Sequence, residues 1–254
     1  MYHEIVRSYL HFCEAKSEMK DNFLDLRHIG FIYPTLLLPT LKFILSNKEY
    51  NAKLDSGIVG YAQRMLNPSR RSDKTYIPYR ELPPSSDDAG SQITDILKIV
   101  DPDKGWYGSF EYLLTELTDN IYQHADFTSA HLFAQKFPQK RFTEACFLDD
   151  GISIPGSFSK FGLDFENDAD AIKQAVNGVS TKDEFNHRGW GLNSIVKAFS
   201  RNGGKLFIAS NNGAIFINNG KTLLYKLGDK YSIEGTLVTI RLPSTKININ
   251  EFYK

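Results

Sequence analysis

Residues 116–124 read E-L-T-D-N-I-Y-Q-H and lie in a helical pattern that runs from residue 110 to residue 125. Apolar side chains recur there at steps of three and four residues, the period of a helix with one buried face. Glu116 and Asn120 are one turn apart on such a helix, and His124 is on the same stripe. An amide oxygen suits Mg²⁺, and a carboxylate can orient or deprotonate a nucleophile. A solvated polar stripe on a surface helix is the alternative interpretation.

A second stretch, L-D-D-G-I-S-I-P at residues 148–155, directly follows a predicted strand at residues 141–147. An acidic residue at the end of a buried strand can accept a hydrogen bond from the exocyclic amine of a flat ring. A glycine two positions later lets the backbone turn tightly beside that ring. Asp149 and Gly151 hold these two positions. A hairpin turn that binds no ligand is the alternative for this stretch.

The third stretch, R-G-W-G-L at residues 188–192, opens a predicted helix. Gly189 and Gly191 leave backbone N–H groups free at the positive end of that helix, where phosphate binds readily. Just upstream, residues 171–182 predict a short helix that ends at Gly178 and leads into a polar loop. Lys182 and Arg188 in that loop are long enough to reach phosphate oxygens, although a solvated loop accounts for the same residues.

Taken together and in this order, the three stretches resemble the ATP-binding domain of the GHKL family, which gyrase, heat-shock protein 90, histidine kinases and MutL share. The resemblance implies that Asn120 holds Mg²⁺ and that Asp149 accepts a hydrogen bond from the adenine amine. It also implies that Glu116 is the base, as in hydrolytic and serine-kinase members. Ser153 stands where the family usually has a second glycine. The implied nucleotide contacts come from Asn120, Asp149, Gly151, Lys182, Arg188, Gly189, Trp190, Gly191, Leu192 and Thr236.

Four short strands are predicted after the third stretch, at residues 205–210, 214–217, 223–227 and 236–242. Thr236 in the last of them matches a threonine that supports the adenine and its aspartate in the resembled family. The expected fold class is α/β (α+β), with a two-layer α/β sandwich of the GHKL ATPase type, the Bergerat fold, over residues 91–254. The nucleotide is expected between the helical layer and the sheet.

Residues 1–66 predict a small α/β domain of their own, with strands at residues 22–29 and 51–54 among three helices. The run F-L-D-L-R-H-I-G-F-I-Y-P-T-L-L-L resembles the strand, loop and helix start of a STAS domain, the fold of anti-sigma-factor antagonists. That resemblance places Thr35 where phosphorylatable antagonists carry their acceptor. A cap that only packs on the ATPase domain is the alternative. The polar, proline-rich residues 67–90 are the predicted linker.

Composition limits the classes of function. The 254 residues include 30 basic and 30 acidic side chains, and this zero net charge argues against a general nucleic-acid or membrane binder. Cys13 and Cys146 show neither metal-site nor disulfide spacing, which favours the reducing cytoplasm. The most apolar stretch, residues 31–45, is interrupted by two prolines and a lysine, so it predicts core structure rather than a membrane span.

These patterns favour one function and leave two alternatives. The leading prediction is an ATP-binding regulatory protein of the anti-sigma-factor or serine-kinase-like type, which binds Mg²⁺·ATP and hydrolyses it slowly or phosphorylates a protein partner. A nucleotide-gated interaction module would instead change a protein-binding surface when a lid within residues 156–188 closes, without significant turnover. A binding protein whose motifs have decayed is the third possibility. The sequence leaves open the identity of the partner and whether the chain forms a homodimer.

Overall fold

The computed structural model describes residues 3–66, 75–100, 107–179 and 190–244. The helices in these residues are α1 (Glu4–Ser17), α2 (Pro34–Leu45), α3 (Ser56–Met65), α4 (Ser86–Ile99), α5 (Tyr107–His124), α6 (Ile154–Lys160), α7 (Asp168–Val176) and α8 (Trp190–Arg201). The strands are β1 (Phe23–Leu26), β2 (Asn51–Leu54), β3 (Tyr76–Glu81), β4 (Ala130–Phe137), β5 (Phe142–Asp149), β6 (Lys205–Asn211), β7 (Gly213–Asn218), β8 (Lys221–Lys226) and β9 (Ile233–Pro243).

A seven-stranded sheet is the centre of this mixed α/β fold. Its strands lie in the order β3-β4-β5-β9-β6-β7-β8, and every neighbouring pair is antiparallel. Strands β1 and β2 form a separate parallel pair. Strand β9 is the last strand of the described residues but lies near the centre of the sheet, so the sheet is completed only when β9 inserts between β5 and β6.

Helices α4, α5, α7 and α8 cover one face of the large sheet. Alternate strand residues such as Phe147 and Val238 point to this face, and they pack in one hydrophobic cluster with Leu117, Ile121 and Ile172 from the helices. The alternation follows from the two-residue period of a strand, and the helical contacts follow from steps of three and four residues. The sheet and this helical layer agree with the predicted mixed α/β class.

Residues 3–66 cover the opposite face of the sheet. Cys146, Leu148 and Phe207 of the sheet share a second hydrophobic cluster with Tyr9 of α1 and Leu37 of α2. This part of the chain therefore completes a three-layer α/β/α arrangement and shares its core with the sheet. The predicted two-layer description missed this third layer. The resemblance of residues 1–66 to a STAS domain stays a prediction.

The predicted linker at residues 67–90 is wrong for the part that the structure describes. Residues Tyr76–Glu81 form the edge strand β3, and α4 begins at Ser86. Pro78 lies where the register between β3 and β4 shifts. Proline is excluded from central strands because it cannot donate to the ladder, but an edge strand with an irregularity accommodates it. Pro78 therefore lies at a sheet edge and does not mark a linker.

A buried ion pair joins the N-terminal layer to the middle of the sheet. Glu144 of β5 has no exposed surface, and Arg241 of β9 is 3% exposed. Arg241 Nη2 lies 2.7 Å from Glu144 Oε2, and Arg241 Nη1 lies 2.8 Å from Glu4 Oε2 of α1. Thr35 of α2 donates its hydroxyl at 2.7 Å and its backbone N–H at 3.2 Å to Glu144 Oε1. Because buried charges require partners, this network fixes where α1 and α2 lie on the sheet.

The same network contradicts the predicted role of Thr35 as a phosphoacceptor. The residue is completely buried, and besides Glu144 its hydroxyl contacts Thr239 Oγ1 at 3.1 Å. A phosphate on Thr35 would place up to about two negative charges beside the Glu144 carboxylate. Thr35 does lie at a helix start, as the sequence predicted, but its hydroxyl is part of the core.

Two predicted elements are confirmed. The helix predicted at residues 110–125 is α5, and the strand predicted at residues 141–147 is β5, which extends two residues further. Cys13 and Cys146 are buried and form no disulfide. In the described ranges no helix has both the length and the apolar character that a membrane crossing requires.

Candidate functional site

Asp149 is the last residue of β5, and its side chain faces the layer of α4, α5, α7 and α8. Phe147, two residues earlier in the strand, lies in the cluster beneath those helices, and strand alternation places Asp149 on the same face. Only 2% of Asp149 is exposed. Its Oδ1 accepts a hydrogen bond from the Gly151 N–H at 2.9 Å. The predicted buried acid at the end of a strand is therefore observed.

Three polar side chains form a row across the strand ends on this face. Because β9 lies between β5 and β6, Thr236 is opposite both Asp149 and Ser210. The hydroxyls of Thr236 and Ser210 are 2.8 Å apart. Ser210 Oγ also donates to the Gly235 carbonyl at 3.1 Å and accepts from the Ile154 N–H at 2.9 Å. Sequence reasoning missed Ser210 because only the register of three strands brings it into the row.

The electrostatic environment of Asp149 is unusual for a carboxylate. Burial raises the pKa of Asp149 to about 6, against the opposing effects of the Gly151 N–H and the positive charge of Lys42. The neighbouring charge of Asp150 adds to the increase. A pKa near 6 means that Asp149 is mostly ionised at pH 7 but lacks the hydration that would stabilise the charge. A ligand N–H group pointing at this carboxylate would supply part of that stabilisation.

Gly151 is required by a contact inside the protein. A Cβ atom at this position would lie 2.0 Å from the carbonyl oxygen of Ala125, just after α5. The next N–H, that of Ile152, donates to the same oxygen at 2.7 Å. The glycine was expected to make room for a flat ligand, but the structure shows that it makes room for the end of α5. The contact ties the loop after Asp149 to that helix.

Ser153 has the backbone conformation of a glycine. Its φ of 69° and ψ of 163° lie in a region that side chains other than that of glycine rarely adopt. The Ser153 hydroxyl accepts from the Gly156 N–H at 3.1 Å and caps α6, which offsets part of the strain. The chain thus has a glycine-type backbone at the position where its sequence departs from the family pattern.

Helix α5 carries Glu116 and Asn120 in the layer that faces the row. Both residues are half-buried, beside the core residues Leu117 and Ile121. The contact of Ala125 fixes the end of this helix against the loop after Asp149. From the rise per residue of an α-helix, Asn120 lies about 7.5 Å from Ala125 along the helix axis, and Glu116 lies about 13.5 Å from it. The amide is therefore nearer to the strand ends than the carboxylate is.

The third sequence stretch is partly described. Trp190, Gly191 and Leu192 form the first turn of α8, which packs against α5 and β6. The N–H groups of a first helical turn have no acceptor within the helix and favour an anion. The phosphate contacts predicted outside the described residues are Lys182, Arg188 and Gly189.

Helix α7 belongs to the core instead of a lid. Ala171 and Ile172 are completely buried, and α7 packs against β6, β7 and β8. Asp168 Oδ2 at the start of α7 accepts from Asn211 Nδ2 at 2.8 Å and from the Asn212 N–H at 2.9 Å. The predicted lid is therefore wrong for residues Asp168–Val176. Residues 180–188 of the predicted range lie outside the described chain.

Asp150 has a structural role that sequence reasoning missed. Its Oδ1 accepts from the N–H groups of Thr128 and Ser129, both at 2.8 Å, and its Oδ2 accepts from the Ser129 hydroxyl at 2.5 Å. Partial burial opposes ionisation, but these donors lower the pKa of Asp150 to about 2. Asp150 therefore holds the loop between α5 and β4 against the end of β5.

No protein-family model matches the chain, and a search of curated proteins finds no significant match. Within the described ranges, no group of three or more His, Cys, Asp and Glu side chains could hold a metal ion. The assignment of a function therefore depends on the geometry of the row and of the helices that face it.

Proposed function

We propose that this chain is an ATP-binding regulatory protein that binds Mg²⁺·ATP between the sheet and the layer of α5 and α8. The observation that carries the proposal is the row of Asp149, Thr236 and Ser210 at the strand ends. A buried carboxylate at one end of a row with two hydroxyls is an acceptor-rich surface on an otherwise apolar sheet face. Such a surface suits the amino edge of an adenine ring.

The adenine ring would pack between the apolar helices and the sheet, with its exocyclic amine donating to Asp149. The low hydration of that carboxylate strengthens the hydrogen bond, because a charged acceptor away from water interacts more strongly with a donor. Thr236 would support the same edge of the ring through its hydroxyl. The glycine-type backbone at Ser153 keeps the loop after β5 close to this edge.

The remaining groups suit the phosphates. Asn120 on α5 would hold Mg²⁺, which is usually bound by one or two protein oxygens together with phosphate oxygens and water. Mg²⁺ neutralises phosphate charge when it is bound. The first turn of α8, with Gly191, would face the phosphates with its N–H groups.

Glu116 is the candidate base of the proposed reaction. Its carboxylate would take a proton from water or from the hydroxyl of a partner protein as that oxygen forms a bond to the γ-phosphorus. The bond from the γ-phosphorus to the bridging oxygen breaks, and ADP leaves with the electron pair. Water as the nucleophile gives slow hydrolysis, and a serine or threonine hydroxyl gives a phosphorylated partner.

An equilibrium titration with ATP tests the adenine contact. Asp149→Asn replaces the charged acceptor by a neutral one, and the loss of a charge-assisted hydrogen bond predicts an affinity about 10- to 100-fold weaker. Asp126→Asn is the matched control, because the Asp126 side chain is 66% exposed and pairs with Lys160 outside the row. Equal affinities of wild type and Asp149→Asn would overturn the assignment.

Two further variants test the phosphate half of the site. Asn120→Ala should abolish the effect of Mg²⁺ on ATP affinity while leaving Mg²⁺-free binding intact. Glu116→Ala should bind ATP within about threefold of wild type, since a base contributes to the transition state more than to ground-state binding. Its turnover should be lost. Wild-type binding without turnover, alone or with a substrate hydroxyl, would favour the nucleotide-gated interaction module.

A further inference from the structure

Helix α2 of the N-terminal layer contacts β5, the strand that ends in Asp149, at two places. Thr35 near the start of α2 binds Glu144 within the strand. Lys42 near the end of α2 reaches the residue after the strand, where its Nζ lies 3.4 Å from Asp150 Oδ2. The helix is therefore joined by polar contacts both to the middle of β5 and to its end.

The Lys42 contact is partly buried and incompletely paired. The side chain of Lys42 is 20% exposed and that of Asp150 is 25% exposed. The Nζ atom itself is buried and makes no hydrogen bond with any residue that the structure describes. An ammonium group in this state has lost water without gaining full hydrogen bonding, so its main interaction is with the nearby carboxylates. A surface lysine that was only solvated would not show this combination.

Asp150 connects Lys42 to the proposed site. Its carboxylate holds the N–H groups of Thr128 and Ser129, in the loop that follows α5, and it is covalently next to Asp149. A change in the Lys42 contact therefore acts on the position of this loop and on the field at the Asp149 carboxylate. Two further titratable groups near this cluster are His131 of β4 and Glu81 of β3, which are opposite each other in the strand register. The charges of Lys42, Glu81 and Asp150 all act on the pKa of His131.

We propose that Lys42 is a positioning residue through which the N-terminal helical layer controls the Asp149 and Asp150 carboxylates, and thereby the nucleotide affinity of the site. The positive charge of Lys42 favours the ionised form of Asp149 against the effect of burial. A protein partner or a change in packing that moves α2 would alter this charge contact and change ATP affinity. The effect on ATP rests on the proposed function, but the effect on Asp149 does not.

The first measurement uses the full chain without nucleotide, which separates the two proposals. A carbon-13 NMR titration should place the Asp149 midpoint higher in Lys42→Met than in wild type, while Lys42→Arg keeps the wild-type midpoint. Lys160→Met is the matched control, since Lys160 pairs with Asp126 in the neighbouring loop at 3.1 Å but is 54% exposed. An unchanged midpoint in folded Lys42→Met would overturn the proposal, whether or not the protein binds ATP. Urea denaturation establishes that each variant is folded.

The second measurement is ATP affinity between pH 5.5 and pH 8. If the Asp149 midpoint rises by about one unit, the ionised fraction at pH 6 falls about fivefold, and ATP affinity should fall with it. The loss should disappear towards pH 8, where Asp149 is ionised in every variant. A loss that is equal at all pH values would indicate a general structural defect and contradict the electrostatic role. Absence of ATP binding by wild type would refute the proposed function alone, because the NMR titration still decides the role of Lys42.

Discussion

Removal of the Glu144 carboxylate should destabilise the whole protein far more than a typical surface substitution. Glu144 has no exposed surface and accepts from both the Thr35 hydroxyl at 2.7 Å and the Arg241 Nε at 2.8 Å. Glu144→Ala leaves the 3%-exposed Arg241 guanidinium without its buried counter-ion. Breaking a buried pair by removing one partner costs about 3–5 kcal/mol, so we expect the free energy of unfolding to fall by that amount.

Glu4→Ala provides the matched control, because Glu4 also pairs with Arg241 at 2.8 Å but its side chain is 52% exposed. An exposed pair contributes about 0–1 kcal/mol. The double variant Glu144→Leu/Arg241→Met removes both charges together and should recover most of the lost stability, since an apolar replacement of a buried pair is often neutral or stabilising. This recovery would separate the effect of an unpaired charge from that of a lost side-chain volume.

Urea unfolding followed by circular dichroism measures all four proteins, with the slope m compared between them. A loss below about 1 kcal/mol for Glu144→Ala would refute the inference that the ion pair is buried and essential, since that is the range of exposed pairs. Equal losses for Glu144→Ala and Glu4→Ala would refute it as well. The result bears on function because the same pair attaches the N-terminal layer to the strand that carries Asp149.

Three further predictions concern single residues. The pKa of Asp149 is about 6 in the folded state against an ordinary 3.8, so the native state binds a proton at a higher pH than the unfolded state does. As pH falls from 7 to 4, the stability of wild type relative to Asp149→Asn should therefore rise by up to about 3 kcal/mol. A difference in urea midpoints that does not change with pH would contradict this. Ser153→Gly should stabilise the protein by about 1 kcal/mol, because relief of backbone strain exceeds the small loss of capping. Gly151→Ala should strongly destabilise it, because the added Cβ would lie 2.0 Å from the Ala125 carbonyl oxygen. Thermal denaturation should therefore show a higher Tm for Ser153→Gly and a lower Tm for Gly151→Ala. Thr35 should gain no phosphate on incubation of the folded protein with ATP, and intact mass together with peptide mapping would reveal any modification that contradicts its burial.

Local patterns predicted the elements well where each element carries its own signal. The helix around Asn120 and the strand that ends at Asp149 follow from apolar periods that depend only on neighbouring residues. The edge strand β3 escaped prediction because Pro78 and the polar residues around it resemble a linker, and only pairing with β4 reveals the strand. The sequence of α7 fits a lid because it does not show that the helix packs against three strands and that Ile172 is buried.

The sequence by itself determined the mixed α/β class, the positions of Asn120 and Asp149 on a helix and at a strand end, and the serine at position 153. These follow from periodicity and residue chemistry, which act over a few residues. Only the tertiary structure decided that Ser210 joins the row, that Gly151 meets Ala125, and that the N-terminal layer reaches Asp150 through Lys42. Such contacts join residues far apart in the chain, and they depend on strand register and layer packing, which local propensity does not encode.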